Sequence, residues 1–146
     1  MKKNIAILGS TGSIGCSTFD ILKKNKKLFN INLLTTNRNL NLIITQSKIF
    51  NVKNIIVTDF KKFIILKKKF KNKKINIYNN FDNLDKIFKK KIDYVMSSIS
   101  GLEGLNPTLK IIRYTKKIAI ANKESIICGW SLIAKQLKKY QTNIIP

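Results

Sequence analysis

The sequence predicts an α/β fold built on a doubly wound, mainly parallel sheet with helices on both faces. Short apolar runs typical of buried strands alternate along the chain with longer segments whose apolar residues recur at helical spacing. A glycine-rich stretch joins the first apolar run to the first helical segment. Strands and helices that alternate in this way are joined by right-handed crossovers, which place the strands parallel and cover both faces of the sheet.

The apolar runs predict seven strands, because each is rich in β-branched or other apolar residues and is bounded by polar or turn-forming ones. They lie at residues 4–8, 31–36, 54–57, 75–78, 94–98, 118–121 and 143–145. The segments between them predict six helices, at residues 13–25, 40–50, 60–70, 82–88, 107–114 and 123–139. In the first helix, the face that packs on the sheet is expected to carry Ile14, Phe19, Ile21 and Leu22.

A chain of 146 residues without a linker or an internal repeat is predicted to form one domain, 1–146. Its 29 basic and 7 acidic side chains give a formal net charge of +22, which ordinarily suggests a polyanionic partner. However, Arg38 and Arg113 are the only arginines, and the lysines are spread along the whole chain. Because base reading favours the bidentate guanidinium group, we expect no specific nucleic-acid partner, only non-specific attraction at low salt.

The two cysteines, Cys16 and Cys128, are too few for a disulfide framework and too far apart for a metal knuckle. Both are therefore expected to be buried, reduced thiols. No apolar run approaches the roughly 20 residues of a membrane span, and the first run is too short for a signal peptide. The sequence therefore predicts a cytoplasmic protein with no membrane partner.

The stretch GSTGSIG, residues 9–15, places three glycines between the first predicted strand and the first predicted helix. In this setting, glycines allow a tight turn, close approach of the backbone to a pyrophosphate, and close packing of helix on strand. Amides at the start of the helix can meet the negative charge, and the hydroxyls of Ser10, Thr11 and Ser13 add donors. The predicted ligand is a nucleotide in a Rossmann-like fold, and the alternative is a loop that uses glycines only to turn.

The end of the second predicted strand indicates which nucleotide is bound. An acidic residue at this position would bind the ribose hydroxyls of NAD, but this chain has the polar sequence TTNRN at residues 35–39. No carboxylate is present to repel a 2′-phosphate, and Arg38 can pair with one through charge-assisted hydrogen bonds. The predicted cofactor is NADP(H). The loop lacks the closing GK[ST] of a P-loop, so hydrolysis of a nucleoside triphosphate is not predicted.

A second group of polar residues, Asn122, Lys123 and Glu124, directly follows an apolar strand and precedes a helix. The carboxyl edge of a parallel sheet is where ligands bind in such folds, so these side chains are candidate ligand contacts. The alternative is a helix start in which Asn122 is the cap and Glu124 complements the helix dipole. The serine-rich loop at residues 97–101, after another strand, is expected to line the same crevice.

Together these motifs resemble the N-terminal NADPH-binding domain of the 1-deoxy-D-xylulose 5-phosphate reductoisomerase family. The resemblance rests on GSTGSIGCST at residues 9–18, NRN at 37–39, MSSISGLEGLNPTL at 96–109, ANKES at 121–125 and the final NIIP. It covers essentially the whole chain in order. It implies an NADPH-dependent oxidoreductase of the non-mevalonate isoprenoid pathway, which isomerises and reduces 1-deoxy-D-xylulose 5-phosphate to 2-C-methyl-D-erythritol 4-phosphate.

The resemblance also implies roles for individual residues. Those expected to bind the cofactor are Thr11, Gly12, Ser13, Ile14, Asn37, Arg38, Asn39, Asn122 and Glu124. Residues 11–14 would line the pyrophosphate and adenosine side, residues 37–39 the 2′-phosphate, and residues 122 and 124 the nicotinamide half. Asn37 stands where the family often has glycine. Lys123 would point toward the phosphorylated sugar substrate.

In the family, a metal-binding acidic stretch follows the IIP motif, and the phosphate-binding serines and a flexible lid come later. This chain has no histidine, and its seven acidic residues are scattered. It is therefore expected to be the cofactor-binding portion of a larger enzyme, with no catalytic or metal-binding residues of its own, and inactive alone. The complete enzyme is expected to use Mn²⁺ or Mg²⁺ and to form a homodimer.

Two alternatives remain at this point. The first is another NADP-dependent oxidoreductase with the same loop, although no tyrosine has lysine four positions on and no histidine is present to assist a catalytic cysteine. The second is a basic module that binds polyanions and uses the glycine loop only structurally. It predicts nucleic-acid affinity that persists at physiological salt and does not depend on Gly12 or Arg38.

Overall fold

The computed structural model describes residues 1–145, and Pro146, the last residue of the NIIP motif, lies outside the described residues. Seven strands form one sheet in the order β4-β3-β2-β1-β5-β6-β7, and every neighbouring pair is parallel. They are β1 (Lys3–Leu8), β2 (Phe29–Thr36), β3 (Asn54–Val57), β4 (Asn76–Tyr78), β5 (Ile92–Ser97), β6 (Thr115–Ile120) and β7 (Asn143–Ile145). The predicted fold class is confirmed.

Six α-helices connect the strands, and three lie on each face of the sheet. They are α1 (Ser13–Lys24), α2 (Leu40–Phe50), α3 (Phe60–Lys69), α4 (Leu84–Ile87), α5 (Leu105–Ile111) and α6 (Lys123–Tyr140). Side chains of the first three share one apolar cluster, and side chains of the last three share another. The chain moves outward from β1 to β4 on one side and then returns to β5 on the other, so the direction of winding reverses between β1 and β5.

Both faces of the central strands are buried, which explains why these strands are apolar runs without alternation. Successive residues point to opposite faces: Ile7 and Ile55 belong to the cluster under α1–α3, whereas Leu8 and Ile56 belong to the cluster under α4–α6. All four side chains are completely buried. The two clusters therefore hold the carboxyl ends of β1 and β3 in fixed positions.

The structure differs from the predicted elements where pairing or packing overrides the local pattern. Strand β6 begins at Thr115, three residues early, because its ladder with β5 continues through polar residues such as Lys117. The helix predicted at 82–88 is the single turn α4. The helix predicted at 107–114 begins earlier, at Leu105, with Pro107 in its first turn where proline is tolerated, and its last residues form a 3₁₀ turn.

Two expectations about side-chain burial are wrong. In α1, Phe19 and Leu22 pack on the sheet, but Ile14 and Ile21 are 45% and 62% exposed. The buried stripe of this helix is Gly15, Phe19 and Leu22, and Ile14 and Ile21 each lie one position before a residue of this stripe, about 100° further around the helix. Cys128 is exposed on α6 rather than buried, and Cys16 is partly buried.

Candidate functional site

The three glycines of the loop at residues 9–15 have different surroundings, and each position favours glycine for a different reason. Gly9 has a φ of +76°, and a Cβ there would lie 2.8 Å from the carbonyl oxygen of Ser98. A Cβ at Gly15 would lie only 2.0 Å from the carbonyl oxygen of Gly9, so this glycine lets α1 pack against the loop. A Cβ at Gly12 would approach nothing closer than 3.6 Å, so glycine at this position leaves an open surface.

Hydrogen bonds to the end of β2 hold the loop in place. The amide of Gly9 donates to Thr35 Oγ1 at 2.8 Å, and the amide of Ser10 donates to the Thr35 carbonyl oxygen at 2.9 Å. The hydroxyls of Thr11 and Thr36 lie 2.6 Å apart. The Ser10 side chain is completely buried and donates to the Thr35 carbonyl, so the expectation that it offers a donor to a ligand is wrong.

The start of α1 differs from the starts of the other long helices among residues 1–145. Helices α2, α3 and α6 begin at side-chain caps: Asn39, Asp59 and Asn122 accept hydrogen bonds from the backbone amides three residues on. The cap position of α1 is Gly12, which has no side chain that could accept a hydrogen bond, and the first turn of the helix carries no acidic residue. Its first amides are therefore available to an anion, which the partial positive charge of the helix end also favours.

A cleft of about 500 Å³ lies at the carboxyl ends of the strands, at the point where the winding reverses between β1 and β5. Its walls come from the glycine loop, the ends of β2 and β3, and the loop after β5. The lining residues are Gly9, Thr11, Gly12, Thr35, Thr36, Asn37, Thr58, Phe81, Ser98, Ile99, Ser100, Glu103 and Pro107. The volume lies in the range of small-molecule and cofactor sites, and the position is where open α/β sheets bind ligands.

Four residues in the cleft were not predicted to lie there. Thr58 follows β3, Phe81 follows β4, Glu103 lies in a 3₁₀ turn after β5, and Pro107 lies in α5. None carries a local signal, because each reaches the cleft through the packing of its segment over the sheet. In contrast, the serine-rich loop after β5 does line the cleft, through Ser98, Ile99 and Ser100.

Of residues 37–39, which follow β2, only Asn37 lines the cleft, and its side-chain amide donates to Thr58 Oγ1 at 2.8 Å. The Arg38 side chain is 74% exposed, and its Nε lies 3.4 Å from Asp59 Oδ1. Asp59 caps α3 as well, so the ion pair ties Arg38 to a fixed carboxylate. Asn39 caps α2 by accepting from the Leu42 amide at 3.1 Å. The structure therefore brings Asn37 into the cleft, whereas Arg38 and Asn39 follow it in the chain without lining the cleft.

The ANKES segment begins α6 beside the cleft. Asn122 is 4% exposed, and its Oδ1 accepts from the Ser125 amide at 3.1 Å, so it is the cap of α6. Its Nδ2 donates to the carbonyl oxygens of Ile99, at 2.5 Å, and Gly101. Asn122 thus holds the loop that lines the cleft, whereas Lys123 and Glu124 are exposed. None of these three residues lines the cleft itself in this structure.

Replacing Asn122 with alanine is expected to lower the free energy of unfolding by about 2–4 kcal/mol, because it removes a helix cap and two links to the loop at residues 99–101. The matched control is Asn39→Ala, which removes the cap of α2 without such links and should lower it by about 1 kcal/mol. Urea unfolding followed by circular dichroism measures both. Equal losses in the two variants would contradict the second role of Asn122.

Residues 1–145 also form hollows away from this cleft, at positions where open α/β sheets do not usually bind ligands. A hollow of about 540 Å³ lies over β1, β5 and β6 beside α1, toward the amino ends of the strands, and it lacks the glycine loop. No three His, Cys, Asp or Glu side chains of the described residues come together to hold a metal ion. Within the same residues, none of the helices is both long and apolar enough to cross a bilayer.

A model of one protein family, 1-deoxy-D-xylulose 5-phosphate reductoisomerase, matches residues 5–129 of the chain. The chain belongs to this reductoisomerase family. The resemblance inferred from the motifs is thereby confirmed. The reductoisomerase of Pelagibacter ubique is 60% identical over 146 residues, which cover 99% of this chain and 38% of that protein. The chain therefore spans well under half the length of this curated reductoisomerase.

Solved reductoisomerase structures have the same fold. The enzyme from Zymomonas mobilis in complex with NADPH superposes with a TM-score of 0.89 at 30% identity, over 100% of this chain and 39% of that one. A structure of the enzyme with NADPH, fosmidomycin and magnesium gives a TM-score of 0.87 at 29% identity, over 99% of this chain and 36% of that one. The similarity thus extends along the whole sheet described above.

Proposed function

We propose that this chain is the NADPH-binding portion of a 1-deoxy-D-xylulose 5-phosphate reductoisomerase. The complete enzyme would isomerise 1-deoxy-D-xylulose 5-phosphate and reduce the product with NADPH to 2-C-methyl-D-erythritol 4-phosphate. One observation carries the proposal: the uncapped start of α1 and the open surface of Gly12 face a cleft at the reversal point of the sheet. The NADPH complex of the Zymomonas mobilis relative supports the choice of ligand.

The pyrophosphate would be bound by residues 11–14. Thr11 and Gly12 line the cleft, and Ser13 and Ile14 are the first two residues of α1, with their backbone amides at the helix start. No acidic residue stands in this turn to repel the phosphates. The open face of Gly12 allows the backbone to approach the phosphate oxygens closely, which a side chain there would prevent.

The 2′-phosphate that distinguishes NADPH from NADH would be bound by Arg38 and Asn39, with Asn37 beside them. The contact between Arg38 and Asp59 is made by Nε, so the terminal nitrogens of the guanidinium keep their donors for a second acceptor. A charge-assisted, bidentate pair with phosphate is the strongest hydrogen-bonded contact that this side chain can make.

The nicotinamide half would be contacted at the start of α6. Asn122 acts by fixing the loop at residues 99–101, and the exposed Glu124 is free to reach a ligand. Lys123 would point toward the phosphorylated sugar. When bound, NADPH supplies the hydride, and the residues of this chain bind and orient it.

The reacting groups for the isomerisation would lie in the part of the enzyme that this chain does not span. The described residues do not fit a divalent ion by themselves, because they bring no cluster of three candidate ligands together. We therefore assign Mn²⁺ or Mg²⁺ to the complete enzyme only. Further proposals for the complete enzyme are a homodimer, a cytoplasmic location, and no specific nucleic-acid or membrane partner.

A fluorescence titration of this chain with NADPH and NADH, in about 150 mM salt to suppress non-specific attraction, tests the proposal. Saturable binding of NADPH, tighter than that of NADH, is expected. Weak and equal binding of both, falling steeply with salt, would contradict it and favour the alternative of a basic polyanion-binding module. A parallel titration with a random-sequence DNA duplex in the same buffer gives the reference for non-specific binding.

A further inference from the structure

The backbone of Ser10 is the point at which the glycine loop is tied to two different elements. Its amide and its hydroxyl both donate to the Thr35 carbonyl oxygen of β2, at 2.9 and 3.2 Å. Its own carbonyl oxygen accepts a hydrogen bond from Nε2 of Gln46, at 2.9 Å. Gln46 lies in the second turn of α2, 36 positions further along the chain. The loop is therefore held from β2 on one side and from α2 on the other.

A glutamine is an unexpected residue for this position in α2. Gln46 is 2% exposed, and its Oε1 has no hydrogen-bond partner within residues 1–145. Burying an amide with one unpartnered oxygen costs free energy that an apolar side chain of similar length would not. Packing therefore does not explain the amide. What the amide adds to the structure is its hydrogen bond to the Ser10 carbonyl.

We propose that Gln46 is a positioning residue for the cofactor cleft, which holds the Ser10 carbonyl and so fixes the direction of the backbone amides that follow it. The inference rests on the proposed NADPH function. The Cys16 Sγ lies 3.7 Å from the same carbonyl oxygen. A thiol is a weak hydrogen-bond donor, so Cys16 cannot replace Gln46 in holding this carbonyl. Because residues 11–14 would meet the pyrophosphate, which NADPH and NADH share, Gln46 acts on the affinity for both cofactors and not on the choice between them.

The test is Gln46→Met, which keeps the length of the side chain and removes both the donor and the unpartnered oxygen. The dissociation constants of NADPH and NADH are expected to rise together, by about tenfold, because small displacements of a binding group have large effects. Their ratio should not change. The midpoint of thermal unfolding should stay close to that of the wild type. The variant loses the stabilising hydrogen bond to the Ser10 carbonyl, but it also loses the destabilising burial of an oxygen without a partner, and the two changes in free energy have opposite signs.

The matched control is Ser47→Ala. Ser47 is the next residue of α2 and is also 2% exposed, but its hydroxyl donates to the Ile44 carbonyl within the helix. This variant should bind both cofactors like the wild type. If Ser47→Ala weakens binding as much as Gln46→Met, the effect comes from the packing of α2 and the inference is wrong.

Amide hydrogen exchange provides a second readout that needs no ligand. In Gln46→Met, the amides of residues 11–14 should exchange faster, whereas those of β1 should not change. Wild-type affinity together with unchanged exchange in Gln46→Met would overturn the inference and leave the cofactor function standing. If the wild type itself does not bind NADPH, the proposed function fails, and the exchange data alone then decide whether Gln46 fixes the loop.

Discussion

Replacing Gly15 with alanine is expected to destabilise the domain by about 3 kcal/mol or more, the upper part of the range for overpacked sites. The new methyl group would lie 2.0 Å from the Gly9 carbonyl oxygen and 2.7 Å from Ser10 Cα. Both are backbone atoms, and the loop that contains them is fixed by hydrogen bonds to Thr35. Relief would require α1 to move away from β1, which would open the cluster that contains Phe19 and Leu22.

Gly12→Ala is the matched control for this prediction. The same methyl group at position 12 would meet nothing closer than 3.6 Å, and the φ of −80° suits any residue. The free energy of unfolding, measured in urea, should therefore change little in this variant, whereas binding of NADPH should be lost because the methyl group occupies the surface that the pyrophosphate approaches. A stable Gly15→Ala protein, or a Gly12→Ala protein that binds NADPH normally, would contradict the separate roles given to the two glycines.

The fold could be predicted from the sequence because the signals that specify it are local. Each central strand is a continuous apolar run, as it must be when Ile7 and Leu8, or Ile55 and Ile56, point to opposite buried faces. The glycine loop gave the position of the first crossover. The starts of β5 and β6 could not be predicted, because Ile92 pairs with Thr115 and the ladder then runs on through the backbone, whatever the polarity of the side chains.

The candidate site could be predicted in its position but not in the task of each side chain. The sequence analysis predicted correctly that Ser10 and Asn122 lie at the carboxyl edge of the sheet. It could not show that both side chains are buried and hydrogen-bonded within the protein. Gln46 gave no signal at all, since a single glutamine in a helix is ordinary. Its role depends on the packing of α2 beside the loop, a contact across 36 positions that no local pattern encodes.

Replacing Arg38 with alanine is expected to raise the dissociation constant of NADPH by about ten- to a hundredfold, because each charge-assisted hydrogen bond to phosphate contributes roughly 1.5–3 kcal/mol. The lower part of this range is the better expectation, since the side chain is 74% exposed and water competes for the phosphate. The affinity for NADH, which lacks the 2′-phosphate, should not change. Fluorescence titrations of both cofactors in about 150 mM salt measure the ratio.

The second arginine of the chain provides the control. Arg113 stacks against the rings of Tyr114 and Tyr140, 5.3 and 5.2 Å from their centroids, and does not line the cleft. Arg113→Ala removes the same charge from a chain of net charge +22, so it reports what general electrostatic attraction contributes. If the two variants weaken NADPH binding equally, the positive charge of the whole surface attracts the cofactor and no 2′-phosphate site exists. If only Arg38→Ala weakens NADPH binding and abolishes the preference for NADPH over NADH, Arg38 must contact the 2′-phosphate. General electrostatic attraction could not explain the difference, since both variants carry the same net charge.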